Sequence, residues 1–224
     1  MTIVLIAANV LVYFLWQRGG LHLSNPSGAH FLQQLGDYGL VPCHITGATC
    51  KDLAPSQPHV WLTPLTAMFM HGGLLHLGGN MLFLWIFGNN IEDSMGRVRF
   101  VAFYLLGGLA AFGLQIAVDQ GSGVPNLGAS GAIAAVLGGY ILLYPQARVL
   151  TFVFVIFFFT VIELPAMIVL GIWIVLQLFD ATNGSAGGAG VAYYAHVGGF
   201  VFGLATVKLF AMRVKDIPPR LPVW

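Results

Sequence analysis

Six long apolar runs follow one another along this chain, and they limit its possible folds more than any other feature does. The runs cover residues 2–16, 62–90, 98–118, 128–145, 149–179 and 191–210. Only 8% of the 224 residues are charged, whereas about a quarter are charged in a soluble globular domain. Most of the surface of this 24.0 kDa protein must therefore face lipid. The pattern predicts an all-α polytopic membrane protein whose main partner is the lipid bilayer. It argues against a soluble enzyme, a nucleic-acid-binding protein and a disordered chain.

The fifth run is too long for one membrane crossing and too short for two. Residues 149–179 would extend about 46 Å as a helix, at about 1.5 Å per residue, whereas the hydrocarbon is roughly 30 Å thick. Glu163 and Pro165 divide this run. We therefore expect a membrane-surface segment at 149–163 and the fifth transmembrane helix at about 165–180, which makes six transmembrane helices.

The basic residues predict the orientation of these helices. Six spans put both termini on one side, and the basic residues of that side are Arg97, Arg99, Arg148, Lys208, Arg213, Lys215 and Arg220. Arg18 and Lys51 remain for the other side. Because cytoplasmic loops carry the excess of Lys and Arg, we expect cytoplasmic N- and C-termini in a plasma or inner cell membrane.

This topology divides the chain into four segments. They are the first transmembrane helix (1–16), an exterior loop (17–60), the core with helices two to six (61–210) and a cytoplasmic tail (211–224). The exterior loop contains Cys43 and Cys50. These cysteines form a disulfide in an oxidising compartment, or they remain two free thiols.

Four polar residues lie inside the predicted bilayer, where polar side chains are costly and often functional. They are His76, Asn80, Ser130 and His196. Counting about 1.5 Å per residue from the cytoplasmic helix ends places all four about 6–12 Å below the outer edge of the hydrocarbon. Polar residues of three helices should therefore meet in the outer half of the membrane, in a site open to the exterior.

Each of these residues also has a purely structural alternative. Ser130 could cap a helix, and His196 could be a core histidine with satisfied hydrogen bonds. His76 and Asn80 share one helix face at i, i+4 and could hold helices together. His76 and His196 could meet at a metal, but two histidines lack the third protein ligand that a catalytic zinc needs. No metal and no cofactor is predicted.

Taken together, the four side chains have the composition of a serine hydrolase site. Ser130 begins a short helix, where free N–H groups and the positive end of the helix dipole converge on its hydroxyl. His196 can act as a base, and His76 and Asn80 can donate hydrogen bonds to an oxyanion. No acidic residue lies near His196 in the sequence, which favours a Ser–His dyad over a triad.

Small residues on the fourth and sixth helices predict the close contact that such a dyad needs. Gly199 and Gly203 have the GxxxG spacing that lets helix backbones approach. We expect Gly199 to face Gly131 and Ala135. Gly198 lies roughly 100° around the helix and should tolerate an alanine better.

Four sequence motifs resemble those of the rhomboid intramembrane serine proteases. In chain order they are HGGLLHLGGN at 71–80, EDSMGR at 92–97, GASG at 128–131 and AHVGG at 195–199. The resemblance implies a six-transmembrane-helix rhomboid-like bundle with Ser130 as nucleophile and His196 as general base. His76, Asn80 and Ser130 would form the oxyanion hole. It also implies cleavage of single-span transmembrane proteins that enter sideways between the second and fifth helices.

One position departs from the family pattern. Several rhomboid proteases carry a tyrosine one turn after the serine that stacks on the catalytic histidine, and this chain has Ala134 there. Tyr193, Tyr194 or Phe200 could provide another platform for the histidine.

Two other functions are compatible with the same fold. One is a catalytically inactive rhomboid-like scaffold that binds membrane-protein clients, and the intact Ser130 and His196 argue against it. The other is a small-molecule transporter, which would need polar residues in the inner half of the membrane as well.

Overall fold

The computed structural model describes residues 1–24, 28–51, 59–155, 158–182 and 192–213, and within this part the chain is mostly helical. The α-helices are α1 (Thr2–Leu11), α2 (Ala29–Tyr38), α3 (Pro42–Thr46), α4 (Thr63–Thr66), α5 (Leu74–Met95), α6 (Arg97–Val118), α7 (Ser130–Leu143), α8 (Ala166–Thr182) and α9 (Tyr193–Phe210). A π-helical turn over Val12–Trp16 continues α1, and 3₁₀ turns at Val60–Leu62 and Ala67–Phe69 flank α4. Most of the predicted tail, from residue 214 on, lies outside the described residues.

The helix α7 is the centre of the bundle. Every residue from Gly131 to Tyr140 is buried, and α5, α6 and α9 pack around it. A helix that is apolar on all sides is typically a buried one. Ser130 is the first residue of this central helix, so the fold brings it close to three neighbouring helices.

One of the described helices, α6, is both long and apolar enough to cross a membrane alone. The shorter apolar helical segments are Thr2–Trp16, Val60–Phe69, Ser130–Leu143 and Ala166–Thr182. The count of six spans and the side on which the termini lie stay predictions.

The second apolar run is interrupted before its main helix begins. The sequence predicts a span from residue 62, but α5 starts at Leu74, and α4 with its 3₁₀ turns occupies 60–69. Gly73 has a φ of +154°, and a Cβ there would lie 2.7 Å from the carbonyl oxygen of Leu23. The break therefore depends on a glycine conformation and on a close contact with the distant segment around Leu23.

A β-hairpin forms over the segment 149–163, so the expectation of an all-α chain is wrong here, whereas the position of this segment at the membrane surface stays a prediction. Strand β1 (Arg148–Val155) pairs antiparallel with β2 (Phe158–Pro165). The segment is rich in β-branched and aromatic residues, which favour strands over helices, and the rings of Phe152 and Phe159 stack across the pair at 6.0 Å. The predicted division at Pro165 is confirmed, because β2 ends there and α8 begins at Ala166.

The loop that the sequence predicts to be exterior is folded onto the segment that leads to Ser130. Leu40 and Asn126 exchange two backbone hydrogen bonds of 2.9 Å and 2.7 Å. Cys43 and Cys50 form a disulfide, which decides between the two alternatives left open by the sequence. The disulfide leaves neither sulfur as a thiolate ligand for a metal.

The predicted contact between α7 and α9 is present. A Cβ built on Gly199 would overlap the carbonyl oxygen of Gly131, and one built on Gly203 would overlap that of Ala135. Gly198 is also in a close contact, since a Cβ there would lie 2.8 Å from the Cβ of Leu114 on α6, but this contact is less tight than the overlap at Gly199. That Gly198 tolerates an alanine better than Gly199 stays a prediction. The helix α9 packs against both α6 and α7, so adjacent glycines on it face two different neighbours.

Candidate active site

Ser130 follows a backbone turn that requires a glycine. Gly128 has a φ of +126°, and its N–H donates a 2.8 Å hydrogen bond to the carbonyl of Ala67. A Cβ at Gly128 would lie 2.9 Å from Nε2 of His76. The GASG motif thus turns the chain into α7 while the backbone passes directly against the imidazole of His76.

Ser130 and His196 are hydrogen-bonded to each other. Nε2 of His196, in the first turn of α9, lies 2.7 Å from Oγ of Ser130. This distance falls within the range of about 2.6–3.2 Å for a nucleophile and its general base. Both residues are only half-buried, because both line a cavity.

The second ring nitrogen of His196 contacts Gln177, a residue that the sequence analysis overlooked. Nδ1 of His196 lies 2.5 Å from Oε1 of Gln177 on α8. An amide oxygen only accepts hydrogen bonds, so Nδ1 carries the proton and Nε2 keeps the lone pair that faces Ser130. Gln177 was detectable as a polar residue within an apolar helix.

His76 has the complementary tautomer. Its Nδ1 accepts a 3.2 Å hydrogen bond from the backbone N–H of Gly72, so the proton of the neutral ring lies on Nε2. That Nε2–H is on the side of the ring that faces Gly128. His76 is therefore arranged as a hydrogen-bond donor beside the turn that precedes Ser130.

Asn80 lies one turn after His76 and is buried. Its Nδ2 has no hydrogen-bond partner in the part of the chain that the structure describes. An unpaired buried donor is costly and is usually explained by a functional role or a bound molecule. The amide is thus available to an acceptor that enters the cavity.

All four predicted site residues line one cavity of about 750 Å³. The structure brings together His76 and Asn80 from α5, Ser130 from α7 and His196 from α9. Apolar residues form most of the wall, and some of them, including Phe31 and Leu35, come from α2 in the exterior loop. A mostly apolar cavity with a few convergent polar groups is the usual form of a binding site.

Trp173 and Tyr193 flank the imidazole of His196. The ring of Trp173 on α8 is tilted by 37° at a centroid distance of 5.8 Å, and Tyr193 meets the imidazole edge-on at 6.4 Å. Of the three predicted substitutes, Tyr193 has this contact. Phe200 instead packs on Trp173 at 6.2 Å. Trp173 was not among the predicted platforms, because it lies far from His196 along the chain, on a different helix.

A family model for the rhomboid domain matches residues 58–213 of the chain. This protein belongs to the rhomboid family. The match includes all four candidate site residues and Gln177, and it begins after the exterior-loop helices.

Two curated relatives match almost the whole chain. Rhomboid protein 1, mitochondrial, from Saccharomyces cerevisiae is 30% identical in an alignment of 208 residues that covers 89% of this chain and 50% of that protein. The human presenilin-associated rhomboid-like protein, mitochondrial, is 28% identical in an alignment of 227 residues that covers 98% of this chain and 51% of that protein. The chain spans about half the length of these relatives. RHOMBOID-like protein 5 of Arabidopsis thaliana is 34% identical over a shorter stretch of 74 residues, 33% of this chain and 24% of that protein.

The expected location in a plasma or inner cell membrane is wrong by this comparison. The relatives from yeast and mammals are mitochondrial proteins by name, and they point to a mitochondrial membrane. The counts of basic residues predict on which side of a membrane the termini lie. They do not indicate which membrane it is.

Proposed function

We propose that this protein is an intramembrane serine endopeptidase with a Ser–His dyad. The observation that carries the proposal is the 2.7 Å hydrogen bond between Oγ of Ser130 and Nε2 of His196. Family membership supports it, and so does the position of the pair in a cavity with two further donors.

In the proposed reaction Ser130 is the nucleophile and His196 is the general base. Oγ of Ser130 attacks the scissile carbonyl carbon while its proton moves to Nε2 of His196. His196 then gives this proton to the leaving amine, and the serine keeps the acyl group as an ester. A water molecule that enters from the cavity releases the acyl group by the same proton transfers.

The oxyanion of the tetrahedral intermediate would be held by three donors. These are the backbone N–H of Ser130 at the start of α7, Nε2–H of His76 and Nδ2–H of Asn80. The unpaired amide of Asn80 supports this role, because a donor that is free before the reaction and bound during it stabilises the transition state selectively.

We propose single-span transmembrane segments as substrates, entering the cavity from the side between α5 and α8. In a helix the carbonyls are engaged in hydrogen bonds, so a substrate has to unwind before Ser130 can attack it. We therefore expect small residues at the cleavage site and helix-breaking Gly or Pro beyond it.

We also propose the topology that such a reaction needs. The core of residues 61–210 would cross the membrane with α1 as six spans, with both termini on the side that carries most basic residues. By analogy with the relatives, the membrane would be a mitochondrial one.

A fluorophosphonate probe tests the proposed function. Oγ of Ser130 would form a bond to phosphorus, fluoride would leave, and the proton would move to His196. We expect labelling of the purified protein and cleavage of a helical substrate, and we expect neither in Ser130→Ala or His196→Ala. Both variants should keep the melting curve of the unmodified protein in detergent. If either of them cleaves the substrate at the original rate, the assignment of the dyad is wrong. If the unmodified protein is folded but the probe does not label it, this result would favour the scaffold function.

A further inference from the structure

The inward face of helix α8 includes the polar residue Gln177. Leu170 and Ala181 are buried, and Trp173, Ile174 and Gln177 are partly buried. Their spacing is that of a single helix face. Neighbouring positions on the other side, such as Val175 and Leu176, are 62% and 53% exposed. Gln177 therefore points toward the bundle with the apolar residues and not toward the surroundings.

The amide of Gln177 has a defined partner there. Its Oε1 accepts the hydrogen bond from Nδ1 of His196, while the other nitrogen of the same ring faces Ser130. A histidine acts as a base through Nε2 only when its proton resides on Nδ1, and the hydrogen bond at Nδ1 decides which tautomer is present. In serine protease triads a carboxylate has this task.

Two residues of α8 jointly restrain the imidazole of His196. Trp173 packs on its ring, and Gln177, one turn later, accepts the hydrogen bond at its edge. The aromatic contact restrains the plane of the ring, and the amide restrains its rotation and its tautomer.

We propose that Gln177 is the positioning residue of the base: it holds His196 as the Nδ1–H tautomer with Nε2 directed at Ser130. This inference rests on the proposed function and extends the dyad to a Ser–His–Gln arrangement. A neutral amide suits this position because an isolated carboxylate is costly to bury in an apolar environment.

The test compares two variants of Gln177 with a control on the opposite face of the helix. Gln177→Met keeps the length of the side chain and removes the acceptor, whereas Gln177→Glu keeps an acceptor oxygen. Val175→Ala changes an exposed residue of the same helix. For each protein we would measure the rate of inactivation by a fluorophosphonate, kcat and KM on a helical substrate, and the melting temperature. We would also record ¹⁵N NMR spectra of labelled histidine, with a His196→Asn sample to assign the His196 signals.

We expect Gln177→Met to lower kcat and the inactivation rate about 10- to 100-fold with little change in KM or melting temperature. Its NMR spectrum should lose the single Nδ1–H tautomer of His196. Gln177→Glu should keep that tautomer, because its carboxylate also accepts the hydrogen bond from Nδ1, and should stay within a few-fold of the original rate, while the cost of burying the carboxylate lowers its melting temperature. Val175→Ala should match the original protein in every measurement.

Three results would overturn the proposal. Gln177→Met could keep both the tautomer and the rate, Gln177→Glu could keep the tautomer and yet be as slow as Gln177→Met, or the unmodified protein could lack the Nδ1–H tautomer. If the unmodified protein shows the tautomer but no labelling, the proposed function fails while the contact between Gln177 and His196 stands. The two failures are thus distinguishable.

Discussion

A single methyl group added at Gly199 should disable the site through the packing of α7 against α9. Built on this glycine, a Cβ overlaps the carbonyl oxygen of Gly131, and it lies 3.2 Å from the Cβ of Ala134. A carbon–oxygen contact needs about 3.3 Å or more, so the two helices have to separate by about 1 Å. Both contact residues belong to α7 and are buried among its neighbouring helices, so they have little room to move away.

This displacement would act directly on the dyad. Gly131 follows Ser130 in the chain, and Gly199 lies three residues after His196, so the same two helix segments carry the contact and the site. The Ser130–His196 distance of 2.7 Å would grow to about 3.7 Å, which exceeds the range of about 2.6–3.2 Å for proton transfer. A misplacement of 1 Å can cost about 10²-fold in rate, and overpacking a close contact costs about 1–3 kcal/mol.

We therefore expect Gly199→Ala to be labelled by a fluorophosphonate about 10²-fold more slowly than the original protein and to melt several degrees lower in detergent. The matched control is Gly113→Ala on the neighbouring helix α6, where a Cβ meets nothing within 4 Å. Alanine is more stable than glycine within a helix by about 0.5–1 kcal/mol, so this variant should label normally and melt at the same temperature or higher. If Gly199→Ala labels and melts like the original protein, the helices are not as close as described and the reasoning fails.

Three further predictions concern the surroundings of the dyad. His76→Ala and Asn80→Ala should each lower kcat by up to about 10²–10³-fold with little change in KM; an effect confined to KM would make them substrate-docking residues. Gly128→Ala should abolish labelling, because its Cβ would meet the imidazole of His76 at 2.9 Å in a conformation that favours glycine; normal labelling would contradict the described turn. Replacing Cys43 and Cys50 by serine should cost about 2 kcal/mol of stability and leave kcat unchanged, as measured by melting curves and substrate cleavage; an unchanged melting curve would show that the disulfide is not stabilising.

The residues of the site were predictable because of the cost of polar groups in lipid. A histidine, an asparagine or a serine inside an apolar run requires a reason, and counting along the helices placed His76, Asn80, Ser130 and His196 at similar heights. The structure places all four around one cavity. Likewise, the contact of Gly199 with Gly131 follows from a small-residue pattern that is readable in the sequence.

The β-hairpin and the late start of α5 were not predictable in the same way. The segment 149–163 is apolar at nearly every position, so it shows neither the alternation of a half-buried strand nor the period of an amphipathic helix. Pairing between β1 and β2 decides its structure. The break before Leu74 depends on the packing of Gly73 against Leu23, about 50 residues earlier in the chain.

Gln177 is a different case, because its position near His196 could be inferred from the sequence. Ala166, the first residue of α8, is eleven residues before it, which is a rise of about 17 Å. His196 lies twelve residues before Lys208, a rise of about 18 Å by the same count. These counts thus predict that the side chains of Gln177 and His196 lie at about the same depth in the membrane, on adjacent helices. In soluble serine proteases the third group is a carboxylate, and no Asp or Glu lies near His196 in the sequence. In an apolar environment, however, an ionised carboxylate is far more costly to bury than a hydrogen-bonded amide. The orienting partner of a histidine base inside a membrane should therefore be sought first among Gln and Asn.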